Sequence, residues 1–151
     1  MLLDNKIITL SIAAILAVSL ITSTNLGSQE IFAQEKIEGT LTSPSGDNPF
    51  GGEDTGTIEI EYDKNNVSIM SELNKSPSEG MVFEGWLVDP DTGYKLSTGL
   101  LDENNAQTFE QVIVNPYIYN VYVVTEEPLE DVDPNANVPV GGFALPSPFG
   151  Q

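Results

Sequence analysis

Apolar and polar residues alternate along most of the chain after residue 33, the pattern of β-strands with one buried face. The alternation is clearest in Thr57–Tyr62, where Ile58, Ile60 and Tyr62 alternate with Glu59 and Glu61. A short polar turn separates this segment from Val67–Leu73, which alternates in the same way. No window shows the 3.6-residue periodicity of an amphipathic helix. The pattern therefore predicts antiparallel strands joined by tight turns.

The most strongly marked hairpin spans Met81–Leu101. Its first strand, Met81–Val88, is rich in β-branched and aromatic residues and holds the only tryptophan, Trp86. Asp89–Gly93 (D-P-D-T-G) has the proline, aspartate and glycine typical of a turn. Tyr94–Leu101 forms the returning strand. We expect Trp86 to be a core residue packed on the opposite sheet, the alternative being a recognition aromatic at the surface.

The rest of the chain continues this pattern. Further strands are predicted at Lys36–Leu41, Thr108–Val114, Ile118–Thr125 and Val138–Leu145, and polar loops at Thr42–Thr55, Asn74–Gly80 and Glu126–Asn137. The expected core includes Trp86, Ile58, Ile60, Val121 and Val123. Seven or eight short strands without helices predict an all-β fold, an antiparallel β-sandwich over residues 34–145. Residues 146–151 are predicted to be a flexible tail.

The first 33 residues have the layout of a secretory signal peptide, with one lysine, an apolar segment Ile7–Ile21, and a small residue, Ala33, before the predicted cut. The apolar segment is shorter than the ~20 residues that a helix needs to cross a bilayer. The sequence therefore predicts a secreted or cell-surface protein. An uncleaved membrane anchor is the alternative, and only in that case would the chain contact the membrane.

Charge and composition exclude several functions. The chain has 23 acidic and 5 basic residues, no histidine and no cysteine. Loss of the leader with Asp4, Lys6 and Glu30 would leave 21 acids, four lysines and a net charge of −17. Such a surface repels nucleic acid and favours cations and basic partners. Without histidine or cysteine, the usual zinc and copper ligands and the Ser–His and Cys–His nucleophiles are absent.

Alternating oxygen-bearing side chains in the last acidic loop suggest calcium. Asp131, Asp133 and Asn135 follow the spacing of a calcium loop. Ala136 stands where an EF-hand needs glycine and Gly142 where it needs an acid, so an EF-hand is excluded. A looser site remains an alternative to a solvated loop, and no other cofactor is predicted. Further ligands for it would come from neighbouring loops, if these meet at one end of the fold: Asp89, Asp91, Asp102 and Glu103.

Two segments fit the N-glycosylation sequon. They are Asn66-Val-Ser68 and Asn74-Lys-Ser76, and both fall in or beside predicted turns. Export would make Asn66 and Asn74 candidate acceptors.

Three motifs together resemble the C-terminal extracytoplasmic domain of anti-sigma-K factors. They are W-L-V-D-x-x-x-G-x-x-x-S-x-G from Trp86 to Gly99, V-V-T-E-E-P at Val123–Pro128, and P-V-G-G-F-A-L at Pro139–Leu145. The motif residues are Gly93, Ser97, Gly99, Glu127, Pro128, Gly141 and Gly142. The resemblance implies an exported β-sandwich and supplies no catalytic residues.

The resemblance does not extend to the whole family architecture. Family members carry a cytoplasmic helical domain that binds the sigma factor, followed by a transmembrane helix, whereas this chain begins with a predicted signal peptide. Sigma-factor binding is therefore not expected.

The sequence favours a non-catalytic binding or sensing module at the cell surface, with an unidentified protein or envelope ligand. A calcium-dependent structural or adhesive module is the first alternative. A glycan hydrolase using two carboxyl groups is the second, since acid pairs at catalytic separation arise readily in so acidic a chain.

The mature protein is predicted to begin at Gln34, because Ala33 ends the only recognisable cleavage segment. N-terminal sequencing or the intact mass of the exported protein measures this. A chain that still carries Ile7–Ile21 would instead be an anchored protein.

Overall fold

A computed structural model of the protein describes residues 34–130 and 138–151. The predicted signal peptide and the calcium candidates Asp131, Asp133 and Asn135 lie outside these ranges. Within them, the strands are β1 (Glu35–Ser45), β2 (Asn48–Asp63), β3 (Asn66–Leu73), β4 (Met81–Asp89), β5 (Tyr94–Leu100), β6 (Ala106–Val112), β7 (Val121–Pro128) and β8 (Val138–Ala144). One 3₁₀ turn, Pro116–Ile118, precedes β7. The described part contains no helix long and apolar enough to span a membrane.

The eight strands form one antiparallel, nearly closed sheet in the order β5-β4-β7-β8-β1-β2-β3-β6. Two layers result, β5-β4-β7-β8 and β1-β2-β3-β6, and they face each other across the core. The join between β8 and β1 is narrow, since only Thr42 and Gly142 are paired across it. On the other side, β5 and β6 lie next to each other without a hydrogen-bonded ladder. The predicted all-β, antiparallel fold is confirmed.

The central core is built by the alternation seen in the sequence. The two layers contribute inward-facing side chains that are almost fully buried: Phe83, Leu87, Tyr122 and Val124 from one, and Leu41, Ile58, Ile60, Ile69 and Phe109 from the other. Glu59, between Ile58 and Ile60, faces outward. Burial of apolar surface at about 25 cal/mol per Å² is the main stabilising contribution, since the chain has no cysteine for disulfides.

Trp86 is buried, but on the other face of its strand. Phe83 and Leu87 belong to the central core, and Trp86 does not. Since side chains alternate along a strand, the indole lies on the outer face of β4, away from the opposing layer. Val121 and Val123 are likewise buried outside the central core. Both faces of β4 and β7 are therefore covered, and the expected packing of Trp86 on the opposite sheet does not occur.

The predicted loop Thr42–Thr55 is instead the twisted outer part of the β1–β2 hairpin. Its register shifts three times, which allows an irregular ladder to include prolines. Side-chain hydroxyls complete the hydrogen bonding: the amide of Gly51 donates to Thr42 Oγ1 (2.7 Å), and that of Glu53 to Ser43 Oγ (2.9 Å). Pro49 and Phe50 at the hairpin tip lie over Gly142 on the outer face of β8.

Residues 146–151 are predicted to be a flexible tail, but they are packed against one end of the core. The ring of Phe149 is buried and lies edge-on to Tyr62 and Tyr117, at centroid distances of 5.2 and 5.6 Å. The amide of Gly150 donates to the carbonyl of Tyr117 (2.8 Å). The aromatic contacts close the end of the core where β6 passes to β7.

A polar cluster inside the fold joins the two sheet edges, and we call it the seam. The Tyr122 hydroxyl lies 2.8 Å from Ser71 Oγ, and Gln107 Nε2 donates to Tyr122 Oη (3.0 Å) and Thr98 Oγ1 (2.6 Å). Thus β7, β3, β6 and β5 meet through side chains where no ladder connects β5 to β6. Burial raises the pKa of Tyr122 to about 12. Gly85 leaves room for the cluster, because a Cβ there would collide with the Thr98 and Tyr122 hydroxyls.

Gly85→Ala is expected to destabilise the protein by about 1–3 kcal/mol, because the added methyl group overpacks the seam. Chemical denaturation of the purified protein measures the free energy of unfolding. The double variant Gly85→Ala with Tyr122→Phe should lose less than the sum of the two single changes, since removing the hydroxyl relieves part of the collision. Additive losses would show that Gly85 does not act through the seam.

Candidate functional site

An open groove crosses the outer face of β1, β2, β3 and β6. Its volume is about 680 Å³. The floor is the sheet itself, and the outward side chains of alternate residues form the walls. These residues include Glu38, Thr40, Thr57, Glu59, Met70, Glu72 and Thr108. We call this feature the outer-face groove.

Strand register places acidic side chains from different strands next to one another. Glu38 of β1 is paired with Glu59 of β2, and Glu59 is in turn paired with Met70 of β3. Like charges directly across a strand pair destabilise a sheet unless a cation lies between them. Here Lys36 Nζ contacts Glu38 Oε1 (2.7 Å) and Glu59 Oε2 (2.9 Å). The two carboxylates raise the pKa of Lys36, so this part of the groove already holds one ammonium group.

The remaining carboxylates along this face outnumber the lysines. Glu72 lies in the next row of the groove. On the other side, Glu61 is paired directly with Lys36, and Glu110 lies in the same row. Met70 lies between these rows with 41% of its surface exposed. The face therefore combines an exposed apolar side chain with an excess of negative charge, which suits an extended segment carrying lysine or arginine.

A second polar cluster lies around Trp86 on the outer face of β4, β5 and β7. The indole Nε1 donates to Thr125 Oγ1 (2.8 Å), and the Thr125 hydroxyl donates to Glu127. Nearby, the Ser97 hydroxyl donates to Glu84. Thr125 and Glu127 are almost fully buried. Because Trp86 is hydrogen-bonded and its partners are buried, this cluster stabilises the fold and is not a binding surface.

The first motif of the anti-sigma-K resemblance forms the turn and bulge of the β4–β5 hairpin. Asp89 accepts hydrogen bonds from the Asp91 amide (3.0 Å) and the Thr92 hydroxyl, and Gly93 follows with φ +75°. The pKa of Asp89 is lowered, chiefly by the hydrogen bond from the Thr92 hydroxyl. Further along, Gly99 has φ +102°, which favours glycine, and its amide donates to Ser97 Oγ (3.2 Å).

The other motif residues also lie in strands of the same layer. Glu127 and Pro128 end β7, where Pro128 is paired with Met81. The two glycines of β8 allow close approach of the β1–β2 hairpin: a Cβ on Gly141 would lie 2.8 Å from Thr55 Oγ1, and one on Gly142 2.6 Å from the Pro49 carbonyl oxygen. Their positions indicate structural roles.

The acidic loop residues proposed as additional calcium ligands do not come together. Asp89 and Asp91 lie in the β4–β5 turn, whereas Asp102 and Glu103 follow the other end of β5. A seven-residue strand separates these positions by roughly 20 Å. Asp102 Oδ1 instead accepts hydrogen bonds from the backbone amides of Ala106 (3.1 Å) and Asn104 (2.8 Å). These hydrogen bonds lower the pKa of Asp102. Among residues 34–130 and 138–151, no three acidic side chains are grouped as metal ligands.

Both sequon asparagines are exposed, at opposite ends of β3. Asn66 is its first residue, next to the β2–β3 turn, and Asn74 follows its last residue. The Asn74 amide reaches the Asp54 carbonyl oxygen at 3.5 Å.

Sequence reasoning did not identify the outer-face groove or the seam. The alternation in Thr57–Tyr62 shows that Glu59 faces outward, but pairing with Glu38 and Met70 depends on strand register and order. The seam residues Gln107 and Ser71 look like ordinary polar strand positions in the sequence. The sequence offers one signal for the seam: a polar residue at a position where the alternation predicts a core residue. Ser71, between Ile69 and Leu73 on the inward face of β3, is an example.

Comparison of the chain with protein-family models, curated proteins and solved structures yields no match.

Asp89 is expected to stabilise the hairpin only while it is ionised. Its folded-state pKa lies below the ordinary 3.8, so its contribution is full above that value and is lost as the pH falls through the folded-state pKa. Asp89→Asn should therefore have a lower melting temperature than wild type at about pH 7. The difference between the two melting temperatures should become smaller near about pH 3.

The matched control is Asp91→Asn in the same turn, because the Asp91 side chain makes no hydrogen bond in the described structure. Thermal denaturation at both pH values measures the two differences. A gap between wild type and Asp89→Asn that stays constant with pH would contradict the role assigned to the carboxylate.

Proposed function

We propose that the protein is a non-catalytic, exported binding module that uses the outer-face groove to hold a positively charged segment of an envelope protein. The predicted signal peptide supports export. The anti-sigma-K resemblance implies an extracytoplasmic sandwich and so supports the same location, and no sigma-factor binding is included in the proposal.

The observation that carries the proposal is the arrangement of groups within the groove. Glu38 and Glu59 hold Lys36 between two strands, which is the contact that a lysine of a partner would make. Glu72 lies one row away, and Met70 offers an apolar contact between them. Charged groups arranged in this way increase association rates and select basic partners, and their effect weakens as salt rises.

Binding is tested with the mature protein and a lysine-rich peptide, together with pulldown from the envelope fraction. Glu72→Lys places a positive charge in the groove and should weaken peptide binding about tenfold, which corresponds to ~1.4 kcal/mol. Glu103→Lys makes the same change of net charge in the β5–β6 loop, outside the groove. The affinity of Glu103→Lys for the peptide should stay near that of wild type at equal ionic strength.

Equal weakening by Glu72→Lys and Glu103→Lys would show that net charge alone attracts the peptide. An envelope partner that is retained by Glu72→Lys would contradict the groove as its binding surface.

A further inference from the structure

Apolar side chains are exposed at the end of β6 and just beyond it. Among the described strands, β6 forms a ladder with β3 alone, and its other edge lies beside β5 without a ladder. Val112, the last residue of β6, is 73% exposed, and Val114, two residues beyond the strand, is 92% exposed. Exposed apolar side chains beside an unpaired strand edge favour association between copies of a protein, and proteins usually cover or charge such edges.

Asn66 lies directly beside the exposed end of β6. It is paired with Val112 in the β3–β6 ladder, and Asn66, Ser68 and Val112 line one shallow depression of about 290 Å³. Since Val67 faces the core, Asn66 and Ser68 both face outward. The Asn66 side chain is exposed and makes no hydrogen bond in the described structure. The acceptor amide and the hydroxyl of the sequon are thus presented on the same side as the exposed valine.

We propose that Asn66 carries an N-linked glycan that covers the exposed end of β6. The donor is an oligosaccharide linked through phosphate to a lipid carrier. Asn66 Nδ2 forms a bond to the anomeric carbon and loses a proton, while the bond from that carbon to the phosphate oxygen breaks and the lipid phosphate leaves. A bulky, soluble glycan at this position shields the exposed end of β6, and its attachment point lies outside the residues that line the outer-face groove.

Asn74 provides an internal comparison. It also lies in a sequon and is exposed, but its amide is directed at the Asp54 carbonyl oxygen and Pro77 follows Ser76 directly. Proline restricts the preceding residue to extended conformations, whereas Asn66 lies next to a tight turn without such a restriction. Asn66 is therefore the modified position.

The inference rests on the export included in the proposed function, so the test measures both. The protein is purified from the envelope or medium of its own host, its first residue is sequenced, and the peptide containing Asn66 is analysed by mass spectrometry. A sugar mass on that peptide, absent in Ser68→Ala and retained in Ser76→Ala, is the expected result. A protein that begins at Gln34 with an unmodified Asn66 would overturn the glycan and leave export intact. A modified Asn66 on a chain that keeps its first 33 residues would support the glycan and contradict cleavage.

The covering role has its own test. Ser68→Ala protein from the same host should self-associate at concentrations at which the wild type is monomeric, as measured by light scattering. Adding Val112→Lys should restore the monomer, because lysine on an edge strand opposes pairing. Thermal denaturation of Ser68→Ala checks that the fold is kept. A folded Ser68→Ala protein that remains monomeric would overturn the covering role.

Discussion

The closure of this sheet depends on a few hydrogen bonds in the seam. Seven pairs of neighbouring strands are joined by ladders, whereas β5 and β6 have no ladder and are linked by the hydrogen bonds of Gln107 to Thr98 and to the Tyr122 hydroxyl. A buried polar cluster is stabilising when its groups are paired and costly when they are not, by about 1–3 kcal/mol for each orphaned group. Gly85 leaves the space in which the cluster forms, so a residue without a side chain determines whether the two edges can meet.

The parts of the fold that could be predicted from the sequence are those in which local alternation is decisive. Ile58 and Ile60 face the core as expected, and the D-P-D-T-G segment turns as its composition requires. Two of the wrong predictions, the polar loop and the flexible tail, have a common cause. The β1–β2 hairpin tip and Phe149 look polar or terminal in sequence, but they are ordered by contacts with Gly142 and with Tyr62. Such contacts depend on distant residues, which a local pattern does not reveal.

The same reasoning separates the motifs from the candidate site. Gly93 and Gly99 have positive φ, Ser97 completes a bulge, and Gly142 allows close packing. Residues of this kind are recognisable in a sequence because backbone geometry restricts what can replace them. The groove is formed by Glu38, Glu59, Glu72 and Thr108, which any solvent-facing strand could contain. It is defined by register, and a shift of one residue would turn these side chains to the other face.

Charge links the fold to its surface. With no cysteine, the sandwich is held by its core and its ladders, while 23 acidic residues against 5 basic ones make the surface self-repelling. Lys36 relieves this repulsion at one point by lying between Glu38 and Glu59. Glu72 on the same face makes no salt bridge in the described structure, so a basic segment bound there would reduce repulsion within the sheet as well as between the partners. A ligand that binds only the folded state raises the free energy of unfolding by mass action. The proposed partner would therefore also stabilise the folded protein.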